Sequence, residues 1–193
     1  MPSSERGLQP GLGHRATVDS HIGARSRVQY QNASATNDVG SSQWFNIVSI
    51  GTTPMPLSQL KIRYWFSVDV ATMNGMTSTG VPSPPADCYY PPVYCSDATT
   101  RRFVTVTPAR AGATHYLEVG FNAAAGTLAA GGQLANSVQT AFHYTNWWPP
   151  VVRTNDYSFD ATKTTLTDWN KVTLYHCPPP SGACNLVWGT EPP

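Results

Sequence analysis

The segment Leu60-Lys-Ile-Arg-Tyr-Trp-Phe-Ser-Val-Asp69 alternates without a break. Leu60, Ile62, Tyr64, Phe66 and Val68 are apolar, and Lys61, Arg63, Trp65, Ser67 and Asp69 lie between them. Successive side chains of a strand point to opposite faces, so this period of two predicts one core face and one exposed or site-bearing face. Working outward, Gln43–Ile50, Phe103-Val-Thr-Val, Tyr116-Leu-Glu-Val-Gly-Phe, Val138–Tyr144, Val172-Thr-Leu-Tyr and Leu186-Val-Trp are further short strand candidates. Turn formers at Ala111-Gly112, Gly131-Gly132, Pro149-Pro150 and Ser181-Gly182 separate them. Helical periodicity is sustained nowhere, and the Ala-rich run 123–130 is cut by Gly126. Regular short strands with such punctuation predict an all-β, antiparallel sandwich or barrel.

The composition agrees. The 193 residues suffice for one domain with a real core. Charged residues make up 12%, about half the usual share of roughly 25%, while 40% hydrophobic and 11% aromatic residues argue against disorder. A net charge of +1 supplies no field to gather phosphate or anionic lipid, so nucleic acid and membrane surfaces are not expected partners. Nor does any stretch approach the ~18 uninterrupted apolar residues of a membrane-spanning helix. Residues 1–25 are rich in Gly, Ser, Arg and His, without hydrophobic period or the apolar core of a signal peptide. They are expected to be a flexible linker or tail before an ordered module at 26–193, cut from a longer polypeptide.

Four cysteines fall in two local pairs, Cys88 with Cys95 and Cys177 with Cys184. Neither matches the two-residue spacing of a zinc knuckle, and Pro178-Pro179-Pro180 stiffens the second loop against one. Two local disulfides are a simpler reading than four free buried thiols, and they imply an oxidising, extracellular setting.

Catalytic constellations are thin. No nucleophile elbow is present, the 11 Asp and Glu form no pair by spacing, and the five histidines lack zinc-enzyme spacing. Two other signals stand out. Ser67-Val-Asp69 at a strand end and Asn155-Asp156 far downstream are hard oxygen donors that suit calcium, although Asp156 serves an Asx turn equally well. Aromatics also cluster in rigid turns. Tyr89, Tyr90 and Tyr94 lie in a Pro-rich loop between Cys88 and Cys95, and Trp147-Trp148 precede Pro149-Pro150. Flat rings on rigid loops suit stacking against sugar faces; the alternative is that they cover the core edge.

Taken together, the chain resembles a family 3 carbohydrate-binding module, a cellulose-binding β-sandwich. The resemblance is carried by Leu60–Asp69, Tyr116-Leu-Glu-Val-Gly-Phe121, Thr154-Asn-Asp-Tyr-Ser-Phe159, Asp168-Trp169 and the ending Leu186-Val-Trp-Gly-Thr-Glu-Pro192, in the family's order over about 27–193. It implies a nine-stranded jelly-roll sandwich with a structural calcium held by Ser67, Asp69, the Val152 carbonyl, Asn155 and Asp156. Cys88 and Cys95 match the spacing of a cysteine pair seen in many members. The family's flat strip of aromatic and polar side chains maps onto Tyr89, Tyr90, Gln139 and Trp147, with His143 as a further hydrogen-bonding candidate. Trp148 competes with Trp147, because one residue more than the family spacing separates Trp147 from Asp156. The chain departs from the pattern at Ala141, where many members carry arginine, and at residues 96–100, which lack an expected ring.

The resemblance implies a secreted, non-catalytic module that docks on cellulose or a related insoluble β-glucan. It would hold a covalently linked catalytic domain near its substrate. Alternatives are a helper module that packs on the catalytic domain without gripping crystalline cellulose, and an enzyme on a jelly-roll scaffold.

Overall fold

Strand Leu60–Phe66 runs through the middle of a five-stranded antiparallel sheet, and its alternation decides which residues meet in the core. The computed structural model describes residues 26–34, 40–68, 98–144 and 150–193, together with the backbone of 71–73, 76–78 and 87–88. Fourteen strands follow in order among these residues: β1 Ser26–Asn32, β2 Ser41–Ser49, β3 Met55–Pro56, β4 Leu60–Phe66, β5 Ala71–Met73, β6 Met76–Ser78, β7 Asp87–Cys88, β8 Thr99–Arg110, β9 Ala113–Phe121, β10 Thr127–Leu128, β11 Val138–Phe142, β12 Thr167–Asp168, β13 Val172–His176 and β14 Asn185–Trp188. One sheet has the order β12-β1-β2-β11-β7 and the other β14-β13-β4-β9-β8; two small ribbons, β10-β3 and β5-β6, complete the set. The expected antiparallel β-sandwich is therefore observed. Among the described residues only single 3-10 turns interrupt it, and the Ala-rich run contributes one of these, Ala123–Ala125, capped by the Asn122 side chain.

The core lies between the two five-stranded sheets. Leu60, Ile62, Tyr64 and Phe66 of β4 join Leu117 and Val119 of β9, and meet Val28, Tyr30, Phe45, Ile47, Val138 and Phe142 from the facing sheet. Aromatic rings bridge the layers: Tyr64 lies 6.0 Å from Tyr30, 6.3 Å from Phe45 and 6.4 Å from Phe142, centroid to centroid. Burying each such side chain is worth roughly 1.5–3 kcal/mol, which makes this layer the main source of stability. Burial also pushes the Tyr30 and Tyr64 phenols well above their ordinary ionisation range, so both stay neutral throughout the working pH.

The opposite face of β4 departs from the expected exposure. Trp65 belongs to the polar half of the alternation, yet it is buried against Ala113 and Tyr175 in a second, smaller cluster. Its indole packs at a tilt against the Tyr116 ring, 4.9 Å between centroids, and donates through Nε1 to Thr173 Oγ1 at 2.9 Å. A bulky ring on the outer side of a central strand can be covered by its own cross-strand neighbours, and periodicity alone does not reveal this.

Loop 153–158 is fastened to the end of β4. Ser158 is fully buried and uses every polar group it has. Its N–H donates to the Trp65 carbonyl (3.1 Å), and its Oγ accepts from the Trp65 N–H (2.8 Å). The same hydroxyl donates to the Lys171 carbonyl (2.6 Å), and the Ser158 carbonyl accepts from Trp169 Nε1 (2.8 Å). The β8–β9 turn closes on this loop. Gly112 there has φ +70°, and a Cβ at that position would stand 2.9 Å from the Asn155 carbonyl oxygen. Cys177 and Cys184 form the disulfide that ties the loop between β13 and β14, as expected. The Cys88–Cys95 pairing lies outside the described residues, as do 1–25.

Replacing Ser158 strands the Trp65 N–H and the Lys171 carbonyl away from water, at about 1–3 kcal/mol for each unsatisfied group. Ser158→Ala should therefore lower stability by roughly 2 kcal/mol or more in urea unfolding, with unchanged m; a loss below 0.5 kcal/mol would contradict the role given to this residue.

Candidate functional site

The outer faces of the two sheets differ in chemistry. On the β14-β13-β4-β9-β8 sheet, Arg63, Glu118 and Arg102 lie in one cross-strand row. Glu118 is buried, and it accepts from Arg63 Nε (3.1 Å) and Arg102 Nη2 (2.7 Å) with Lys61 Nζ at 3.5 Å. The Arg63 guanidinium sits between two rings, 4.5 Å from Tyr116 and 3.9 Å from Tyr175. Arg110 pairs with Glu191 at 2.6 Å, and Tyr175 donates its hydroxyl to the same carboxylate. The charges of this face are thus spent on one another. Burial by itself would raise the Glu118 carboxyl, but the hydrogen bond from Arg102 and the charges of Lys61 and Arg63 outweigh it and hold the group below its usual range.

Among the described side chains, the outer face of the β12-β1-β2-β11-β7 sheet carries few charges, and Asp87 of β7 is the register partner of Ala141 at its edge. β2 sends Phe45 and Ile47 into the core, which leaves Trp44 half-buried on the outside. In register, Trp44 pairs with Gln31 of β1 on one side and Gln139 of β11 on the other. Next to this row, Ser42 pairs with Ala141, two small side chains where the resemblance predicts an arginine in the second position. Among the described side chains of this face, Arg27 and Asp168 neutralise each other at 3.0 Å.

Gln139 is the expected strip residue that the described structure places on this face. His143 is buried just after β11, with Nδ1 2.8 Å from the Tyr144 carbonyl oxygen. Tyr89, Tyr90, Tyr94, Trp147 and Trp148 lie outside the described residues. Of the expected calcium set, Ser67 and Asp156 meet: the buried Asp156 accepts from the Ser67 N–H through Oδ1 at 2.8 Å. Val152 and Asn155 sit on the same loop with exposed side chains, Val152 having only its backbone carbonyl to offer; Asp69 lies outside the described residues. No group of three or more His, Cys, Asp or Glu gathers among the described residues. A transition-metal centre has no basis there, whereas calcium draws on hydroxyl and carbonyl oxygens as well.

Comparison with known proteins settles the family. The model of the cellulose binding domain family CBM_3 matches residues 27–189. The chain belongs to the family 3 carbohydrate-binding modules. These modules are non-catalytic, in keeping with the absence of an organised catalytic group in the sequence reading. The module is 37% identical over 148 residues to exoglucanase-2 of Thermoclostridium stercorarium, covering 77% of this chain but 14% of the exoglucanase. Among solved structures it superposes on the CBM3b module of the major scaffoldin subunit ScaA from Acetivibrio cellulolyticus with a TM-score of 0.72 and 32% identity, covering 89% of this chain and 99% of that one. A biomass-sensing module from putative Rsgi-like proteins of Clostridium thermocellum gives a TM-score of 0.71 at 27% identity, covering 88% and 99% of the two chains.

Trp44 and Gln31 are absent from the set that sequence reasoning picked for this module. The available signal was the period of two in 41–49, which puts a lone indole on the polar side of a central strand.

The depressed Glu118 carboxyl contributes stability above its unfolded pKa and loses it as pH falls through the lower folded value. Glu118→Gln should cost roughly 1.5–3 kcal/mol at pH 7, and the gap to the unmodified module should narrow in melting curves recorded at progressively more acid pH. A gap independent of pH would show that the carboxylate's charge is not what matters.

Proposed function

We propose that this module binds cellulose non-catalytically through the outer face of the β12-β1-β2-β11-β7 sheet, together with the aromatic residues that the resemblance assigns to the strip. The observation that carries the reading is that face: poor in charge among its described side chains, built on a sheet, and bearing Gln139, in a chain of a cellulose-binding family. Tyr89, Tyr90 and Trp147 or Trp148 stack on successive sugars, and Gln139 hydrogen-bonds hydroxyls. Apolar C–H patches on sugar faces replace water over the rings, and flat rigid platforms lose little entropy on binding. The setting is extracellular, and the linked partner is a catalytic domain, as the exoglucanase relative suggests; holding that domain at an insoluble substrate raises its effective concentration. Ala141 in the position of an arginine is the observation that favours the helper-module reading, with weak retention on crystalline cellulose.

The reading includes a structural calcium. The donor chemistry fits: a buried Asp156 carboxylate held against the end of β4, with the Ser67 hydroxyl and the carbonyls of 152 and 155 on adjoining backbone. The ion would add a staple between β4 and loop 153–158 and take no part in catalysis.

Pull-down of the full chain on microcrystalline cellulose, chitin and insoluble xylan should deplete it on cellulose alone. A folded protein that stays in solution in all three would reject this reading in favour of the helper module. Separately, a chelator should lower the melting temperature by roughly 5–10 °C relative to calcium at a hundredfold over its Kd, and Asp156→Ala should abolish the difference. Identical melting curves with and without calcium would remove the ion from the account.

A further inference from the structure

We propose that Trp44, with Gln31 and Gln139 on either side, is a sugar subsite in its own right, and that it takes one uncharged β-glucan chain laid across the strands. The inference rests on the cellulose-binding reading and deepens it, because the indole stands in the middle of the sheet and belongs to none of the aromatic turns. Three observations carry it. First, geometry: Gln31, Trp44 and Gln139 are consecutive register partners on β1, β2 and β11, so the row runs perpendicular to the strands. Two strand spacings put the two amide-bearing residues about 9.6 Å apart with the indole midway. That spacing is comparable to the repeat of two sugars in an extended β-linked chain, so a ring stacked on Trp44 would carry its neighbours' hydroxyls toward the two amides.

Second, chemistry: each glutamine offers both a donor and an acceptor, which is what a hydroxyl requires, and neither imposes a charge. The nearby ion pair, Arg27 with Asp168, is closed on itself at 3.0 Å, and the register puts the acidic Asp87 beside Ala141, so the described side chains of this face offer no cation to repay a uronate or a sulfate for its desolvation. Third, access: beside the indole, Ser42 and Ala141 form a pair of short side chains. A long arginine in place of Ala141 would stand next to Gln139 and reach over the row, whereas the alanine, itself buried, puts no long side chain over Trp44.

The test compares the unmodified chain with Trp44→Ala and Trp44→Phe on cellulose and, by affinity electrophoresis, in gels containing neutral hydroxyethylcellulose or anionic carboxymethylcellulose. Trp44→Ala should weaken binding to cellulose and to the neutral glucan about tenfold, the share of one good aromatic anchor, while Trp44→Phe keeps most of it and both variants melt with the unmodified protein. Carboxymethylcellulose should retard the unmodified chain no more than the neutral polymer does. Unchanged binding by Trp44→Ala, with the unmodified chain retained, overturns the subsite alone and leaves the cellulose reading standing. Failure of the unmodified chain to bind any of the three overturns both. If Trp44→Ala melts early, the double variant Gln31→Ala/Gln139→Ala decides: loss on the neutral glucan supports the row, and retention overturns it.

Discussion

Ser158 is the smallest side chain on which so much of this sandwich depends. It has one hydroxyl, one N–H and one carbonyl, and all of them are committed to Trp65, Lys171 and Trp169. The pairing with Trp65 closes loop 153–158 onto the end of β4, and the Lys171 contact fixes the chain just before β13. Asp156 then falls against the Ser67 N–H, so the carboxylate sits at the point where β4 leaves the sheet. A loop with no regular hydrogen-bond ladder gains its fixed shape from these bonds, each formed in a buried setting where leaving a group unpaired costs more than the bond itself contributes. The proposed calcium would act at the same joint, which explains how an ion remote from any chemistry could matter to the fold.

With the layers fixed, the two outer faces have different work. The face around Glu118 is charged, but its charges are consumed internally by three cations, two stacked rings and the C-terminal Glu191. Such a surface resembles an exposed second core and stiffens the sheet that carries β4. The face around Trp44 is neutral and offers amides, small residues and an indole, a set suited to a ligand with hydroxyls and apolar C–H patches but no charge. In the proposed reading, specificity for a neutral glycan comes from keeping that face poor in charge, while stability comes from concentrating charge on the other.

Much of this architecture was legible in Leu60–Asp69, whose alternation names the core residues Leu60, Ile62, Tyr64 and Phe66 correctly. The Cys177–Cys184 bond was readable from spacing as well. Trp65 was not, because its burial depends on Tyr116 and Thr173, residues 51 and 108 positions away in sequence that only the strand register brings together. His143 has the outward parity of Gln139, but it lies one residue past the end of β11 and is buried, which periodicity alone does not reveal. Trp44 went unremarked because aromatics in Pro-stiffened turns advertise themselves, whereas one indole inside an ordinary strand gains its meaning from Gln31 and Gln139 beside it.

The central claim is that the neutral face, and not the charged one, meets the polysaccharide. Hydroxyl-radical footprinting of the module free and adsorbed on cellulose, read side chain by side chain, tests it directly. Trp44 should lose most of its oxidation on adsorption, while Tyr116, half-buried on the opposite face, should oxidise at an unchanged rate. Protection of Tyr116 with Trp44 still reactive would assign binding to the wrong side of the sandwich and contradict the account.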